Sequence, residues 1–139
     1  MALPIRVEAG KNVPIYRQIH DQLKDLIYSN QLPSGTPLPS IRALAQDLGC
    51  SVITTRRAYQ DLESEGLIVT QQGRGTFVAE VEDPRRESHR QETLRQTLQE
   101  AIDHGLRMDF SIREIRAYFE EGLKHAGSPH HRKQEEDKR

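Results

Sequence analysis

Pro33, Gly35, Pro37 and Pro39 crowd into one short stretch of the chain. No helix can run through it, because each proline lacks an amide hydrogen and fixes its own φ. The residues on either side must therefore fold as separate elements, joined by a stiff turn of about ten residues without regular structure. Upstream, Asn12 can cap a helix with Pro14 near its first turn. Ile15, Ile19, Leu23, Leu26 and Ile27 recur at helical spacing and predict an end near Ser29 and Asn30.

Downstream, two more helices follow in quick succession. Ser40 is a good N-cap, and Ile41, Leu44, Ala45 and Leu48 form one apolar stripe before Gly49 stops the helix. Ser51 caps a third helix reaching about Glu65, with Thr55, Ala58, Tyr59 and Leu62 facing inward. Ile53, Arg57, Gln60 and Ser64 lie opposite, with Thr54 and Arg56 on the flanks, and Gly66 closes the helix. The period then changes to two. Residues 67–70 and 76–79 read as short strands, and the glycines of the intervening segment, Gly73 and Gly75, suit a tight hairpin around Arg74.

After Ala79 the character shifts again. Residues 80–91 are dominated by charge and begin as a linker. A fourth helix then carries Leu94, Leu98, Ala101 and Ile102 on one face and ends near Gly105. Ser111 and Glu114 form a capping box for a fifth helix, with the stripe Ile112, Ile115, Phe119 and Leu123 and with Tyr118 beside it. The tail from Ala126 is polar and is expected to be disordered. The division expected is thus a domain over 10–79, a linker and helical segment over 80–125, and a tail over 126–139. The fold class is mainly α with a small β-hairpin.

Composition narrows the function. In 139 residues there are 20 Lys and Arg against 21 Asp and Glu, a net charge of −1 that offers no global attraction for nucleic acid. Any DNA-binding charge has to be sorted locally, and Arg42, Arg56, Arg57 and Arg74 all fall on the second helix, the third helix or the hairpin tip. No apolar run approaches the roughly 20 residues of a membrane span, and no secretory signal opens the chain. A single cysteine, Cys50, fits a reducing cytoplasm and reads as a packed residue in the turn. His125, His130 and His131 read as solvated rather than metal-binding, since no spaced ligand set accompanies them. Neither a catalytic constellation nor a cofactor fingerprint is present, so no enzyme, metal or cofactor is expected.

Three helices, a tight turn between the second and third, and a glycine-tipped hairpin follow the order of a winged helix-turn-helix. The chain resembles the GntR family of bacterial transcription regulators over about residues 12–79. Pro14 to Ile19, Leu32 with Gly35 and the run Leu38 to Ala45, Thr54 to Gly66, and Gly73 to Val78 carry the likeness in four ordered blocks. The two C-terminal helices resemble those of the YtrA-type subfamily, which mediate dimerisation. The resemblance implies DNA contacts from Arg42, Ser51, Thr54, Arg56 and Gly73. Many family members have arginine where this chain has Val52, which removes a guanine contact. That leaves Val52 or Ile53 to touch a thymine methyl and Arg57 to supply a phosphate contact. Arg74 and Gly75 complete the expected DNA surface.

The resulting expectation is a cytoplasmic homodimer that binds a double-stranded DNA operator and represses a transporter-type operon, including its own gene. A small-molecule effector, unidentified by any residue, is a further expected partner; a membrane is not. Leu94, Leu98, Ile102, Ile115, Tyr118, Phe119 and Leu123 are expected at the dimer seam, because so short a segment cannot bury two apolar stripes alone. The competing expectation is a winged helix that serves protein interaction without reading DNA.

Overall fold

One face of the first helix is aliphatic, and its burial organises the N-terminal part of the molecule. In the computed structural model, which describes residues 2–127, α1 spans Ile15–Tyr28 and sinks Ile19, Leu23 and Ile27 into the core. The expected Asn12 cap is not formed. Pro14 holds the N-cap position at φ −55°, and its carbonyl accepts from the Arg17 and Gln18 N–H groups, so the proline sets the helical entry itself.

Two further helices pack on this base. α2 covers Ile41–Leu48; Ser40 Oγ accepts from Ala43 N–H at 3.1 Å, and Gly49 ends the helix in the left-handed region at φ 68°. α3 covers Val52–Ser64 and packs against both α1 and α2. Leu44, Ala58, Tyr59 and Leu62 meet the α1 stripe, and Leu67, Ile68 and Val78 close the core from the sheet side.

The sheet is larger than the expected hairpin. β2 (Ile68–Gln71) and β3 (Gly75–Val78) pair antiparallel, and β1 (Pro37–Leu38) adds a third strand on the other side of β3. Pro37 lies opposite Phe77 and Leu38 opposite Thr76. The turn expected to lack regular structure thus contains a strand. An edge strand tolerates proline, because no neighbour lies beyond it to miss the absent N–H.

The charged stretch expected as a linker is also largely regular. α4 runs unbroken over Asp83–Arg107, with Pro84 in its first turn, where a missing amide hydrogen costs nothing. Arg86 pairs with Asp83 and Arg90 with Glu87, both three residues apart, so the charges line a solvated helix instead of interrupting one. α5 follows over Ile112–Ala126, and its capping box is formed at both hydrogen bonds. Residues 128–139, including His130, His131 and nearly all of the expected tail, lie outside the described residues.

The chain divides into two compact units, with the boundary after Glu92. The first includes an N-terminal arm for which the sequence shows no periodic signal. Gln22 clasps the Arg6 backbone, accepting from its N–H at 2.9 Å and donating to its carbonyl at 2.6 Å, and Gln18 does the same at Glu8. Ile5 is buried by this arrangement. At the other end of the unit, Arg85 donates to the Glu65 carbonyl at 2.7 Å, and the His89 ring stacks on Tyr28 with centroids 4.2 Å apart.

Tyr59 ties α3 to the proline-rich turn. Its hydroxyl donates to the Pro39 carbonyl at 2.7 Å, and burial pushes the phenol well above its ordinary pKa, so it remains a donor across all physiological pH. Replacing it in Tyr59→Phe leaves that carbonyl without its donor. A loss of about 1–3 kcal/mol in urea unfolding is expected; an unchanged midpoint would show that the contact contributes nothing.

Candidate nucleic-acid interface

α3 presents two chemically distinct faces. Thr55, Ala58, Tyr59 and Leu62 are buried, whereas Ile53, Arg56, Arg57 and Gln60 are exposed. The inward threonine needs polar partners, and it has them. Its Oγ1 donates to the Ser51 carbonyl at 3.1 Å and lies 3.3 Å from Cys50 Sγ, which places Cys50 as a half-buried packing residue in the turn.

The start of α3 is held by its own cap. Ser51 Oγ accepts from Thr54 N–H at 3.1 Å and donates to Thr54 Oγ1 at 2.8 Å, fixing both hydroxyls at the mouth of the helix. Val52 beside them is half-buried. Three arginines on α2, α3 and the wing stand without side-chain engagement. Arg42 on α2, Arg56 on α3 and Arg74 at the hairpin tip are exposed, and their guanidinium groups make no ion pair or hydrogen bond among the described residues. Asp47 does not engage Arg42. Glu65 is occupied by His20, 2.9 Å from its Oε1, and by Lys24 at 3.3 Å. Burial raises the Glu65 carboxyl, but His20 and Lys24 outweigh it and hold the group below the ordinary carboxylate range. This acidic group therefore stays ionised and paired with Lys24 at the C-terminal end of α3.

Arg57 is arranged differently. Its guanidinium lies 3.8 Å from the centroid of the Tyr16 ring, a cation–π contact that restrains the side chain while leaving it exposed. Tyr16 is a functional neighbour the sequence does not reveal, since nothing in one sequence links positions so far apart. The same holds for Glu63, whose carboxylate accepts from Thr70 N–H at 3.3 Å and joins α3 to the wing.

The wing itself turns at Gln72, Gly73 and Arg74, with Gln71 opposite Gly75 and the Arg74 N–H bonded to the Gln71 carbonyl at 2.9 Å. Gly73 has φ 80° and Gly75 φ 124°, conformations that side chains resist. All three tip residues are exposed. Arg42, Ser51, Val52, Ile53, Thr54, Arg56 and Arg57 lie on α2 or at the start of α3, and Gly73, Arg74 and Gly75 on the wing of the same compact unit.

The second unit carries the other predicted residues. Leu94, Leu98, Ile102, Tyr118, Phe119 and Leu123 are all exposed, and Ile115 is half-buried. α4 and α5 approach closely at Gly105, where an added Cβ would stand 3.1 Å from the Ile115 side chain. Phe110 meets Tyr118 edge to face at 5.9 Å. Beside them a groove of about 570 Å³ is lined by Leu98, Ile102, Phe110, Ile115 and Phe119, with Arg116 as its one charged wall. His125 is exposed near the end of α5. Among the described residues, no helix is long and apolar enough to cross a membrane.

Comparison with known proteins places this geometry. Residues 15–78 match the model of the bacterial regulatory proteins of the gntR family. A solved GntR-family transcription factor, YtrA from Sulfolobus acidocaldarius, is 35% identical with a TM-score of 0.53, covering 71% of this chain and 97% of its own. This chain belongs to the GntR family. The HTH-type transcriptional repressor YtrA of Bacillus subtilis is 40% identical over 76 residues, covering 55% of this chain and 58% of its own length. This GntR chain thus matches little more than half of that relative. The DNA-binding domain of AraR, solved with its operator ORX1, is 30% identical with a TM-score of 0.50, over 57% of this chain and 99% of that domain. The family is one of transcription regulators with a DNA-binding winged helix-turn-helix, and that is the fold described above.

The wing offers a direct check on the local geometry. Gly73→Ala places a side chain in the left-handed region and is expected to cost about 1–2 kcal/mol of stability. Gly73→Asn, which tolerates that region, should cost less. Equal losses in urea unfolding would show that the backbone angle is not what glycine supplies there.

Proposed function

We propose that this protein is a homodimeric repressor that reads an operator in double-stranded DNA through α3 and the wing. The observation that carries this reading is the trio Arg42, Arg56 and Arg74, whose exposed side chains stand unpaired on α2, α3 and the wing of one compact unit. A helix of this kind lies in the major groove with its N-terminal residues toward the base edges. Arg42 and Arg56 then contribute to base reading, while Ser51, Thr54, Arg57 and Arg74 hold phosphates and set the register. Glycines on both sides of Arg74 allow the wing backbone to approach the duplex closely. The AraR domain in complex with its operator supports the same use of the fold here.

Dimerisation through the second unit completes the reading. No residue of α4 or α5 is buried in the isolated chain, yet both carry apolar stripes, and a second copy seated on the groove would cover them. Two winged domains then address half-sites of an imperfect palindrome. Repression follows the likeness to a YtrA repressor; the target proposed with it is a transporter-type operon that includes the regulator's own gene, and the working place proposed is the cytoplasm. A small-molecule effector acts only if it binds one arrangement of the dimer better than another.

The test starts from a random DNA pool, from which the full chain should recover a preferred sequence with two-fold symmetry. On that operator Arg56→Ala should weaken binding by about 1–3 kcal/mol, and Arg74→Ala should weaken it across sequences and reduce the salt slope by about 1. No loss in either variant removes these side chains from the interface. Phe119→Glu should convert a dimer to a monomer in analytical ultracentrifugation; a variant that still sediments as the dimer moves the seam elsewhere.

A further inference from the structure

Ile53 is 77% exposed, the largest value for any large apolar side chain among the described residues. Single exposed apolar residues are common on protein surfaces and mean little alone. The position of this one is what matters. It stands on the first turn of α3, with Arg56 and Arg57 three and four residues further along the same face. The other large apolar side chains that are more than half exposed all lie on or between the apolar helices of the second unit.

We infer that Ile53 is a specificity-determining residue that selects thymine by packing on its C5-methyl group. This rests on the DNA-reading role proposed above and names the base read at one position. An isoleucine side chain has no donor or acceptor, so it cannot hold a phosphate or a polar base edge. The thymine methyl is the one apolar feature that the major groove presents. A β-branched side chain in a helix is largely confined to one χ1 rotamer, so Ile53 enters the groove with little freedom left to lose. Val52, its neighbour, is half-buried, and the Ser51 and Thr54 hydroxyls are bonded to each other, which leaves Ile53 as the protruding apolar group at this helix end.

The experiment replaces thymine by deoxyuridine, one position at a time, in the operator selected by the full chain. This removes a methyl and keeps every hydrogen-bonding atom. One position in each half-site should show a loss of about three- to fivefold in affinity, the scale of one buried methyl group. Ile53→Ala should bind the thymine operator weaker by at least that factor, should be indifferent to uracil at that position, and should unfold at the same temperature as the parent. A flat uracil series with the parent protein overturns the inference while leaving operator binding intact. So does a uracil penalty that persists in Ile53→Ala. A random pool that yields no preferred sequence overturns the DNA-reading role itself, and this inference with it.

Discussion

Thr55, Ala58 and Leu62 have no solvent exposure at all, and the orientation of α3 depends on that burial. Advancing the helix by one residue about its axis would bring Arg56 into the place of Thr55. Burying an unpaired guanidinium costs several kcal/mol, well beyond any packing gain such a turn could recover. Leu62 and Ala58 would leave the core at the same time. The outward face is thus dictated by the inward one, and Ile53, Arg56 and Arg57 are held toward solvent by residues that never meet it. Tyr59 on Pro39 and Glu63 on Thr70 extend this control to the α2 turn and to the wing.

The near-neutral charge of the chain follows the same logic of placement. Acidic groups in the first unit are largely engaged where they do little harm to an anion at the start of α3. Glu65 is paired with Lys24 and hydrogen-bonded to His20, and Glu63 is turned toward the wing backbone. A protein arranged in this way gains less from indiscriminate attraction to phosphate, so more of its affinity has to come from side chains that meet a particular sequence.

Much of the fold was legible from residue order. The stripes of α1, α2 and α3 were visible because aliphatic residues recur at helical spacing, and Ser40, Ser51 and Ser111 cap as expected because a side-chain oxygen before a helix has one obvious use. Failures arose where a local signal has two outcomes. Prolines at 33, 37 and 39 exclude a helix but not an edge strand, and Pro37 takes that role in β1. Charge between 80 and 91 fits a linker or a solvated helix equally, and pairs three residues apart decide for the helix. Contacts between distant positions left no trace at all: Tyr16 beneath Arg57, and the two glutamines that clasp the N-terminal arm, depend on the finished fold.

The central claim is that the surface shaped by α3 and the wing is the one that meets DNA. Amide hydrogen exchange of the full chain, with and without the selected operator duplex, tests it most directly, because it reports protection along the whole backbone. Protection by DNA should concentrate at the start of α2, the start of α3 and the wing tip, roughly residues 40–57 and 71–76, and leave α4 beyond Glu92 and α5 unchanged. Protection confined to α4 and α5, with none at α3 or the wing, would contradict it.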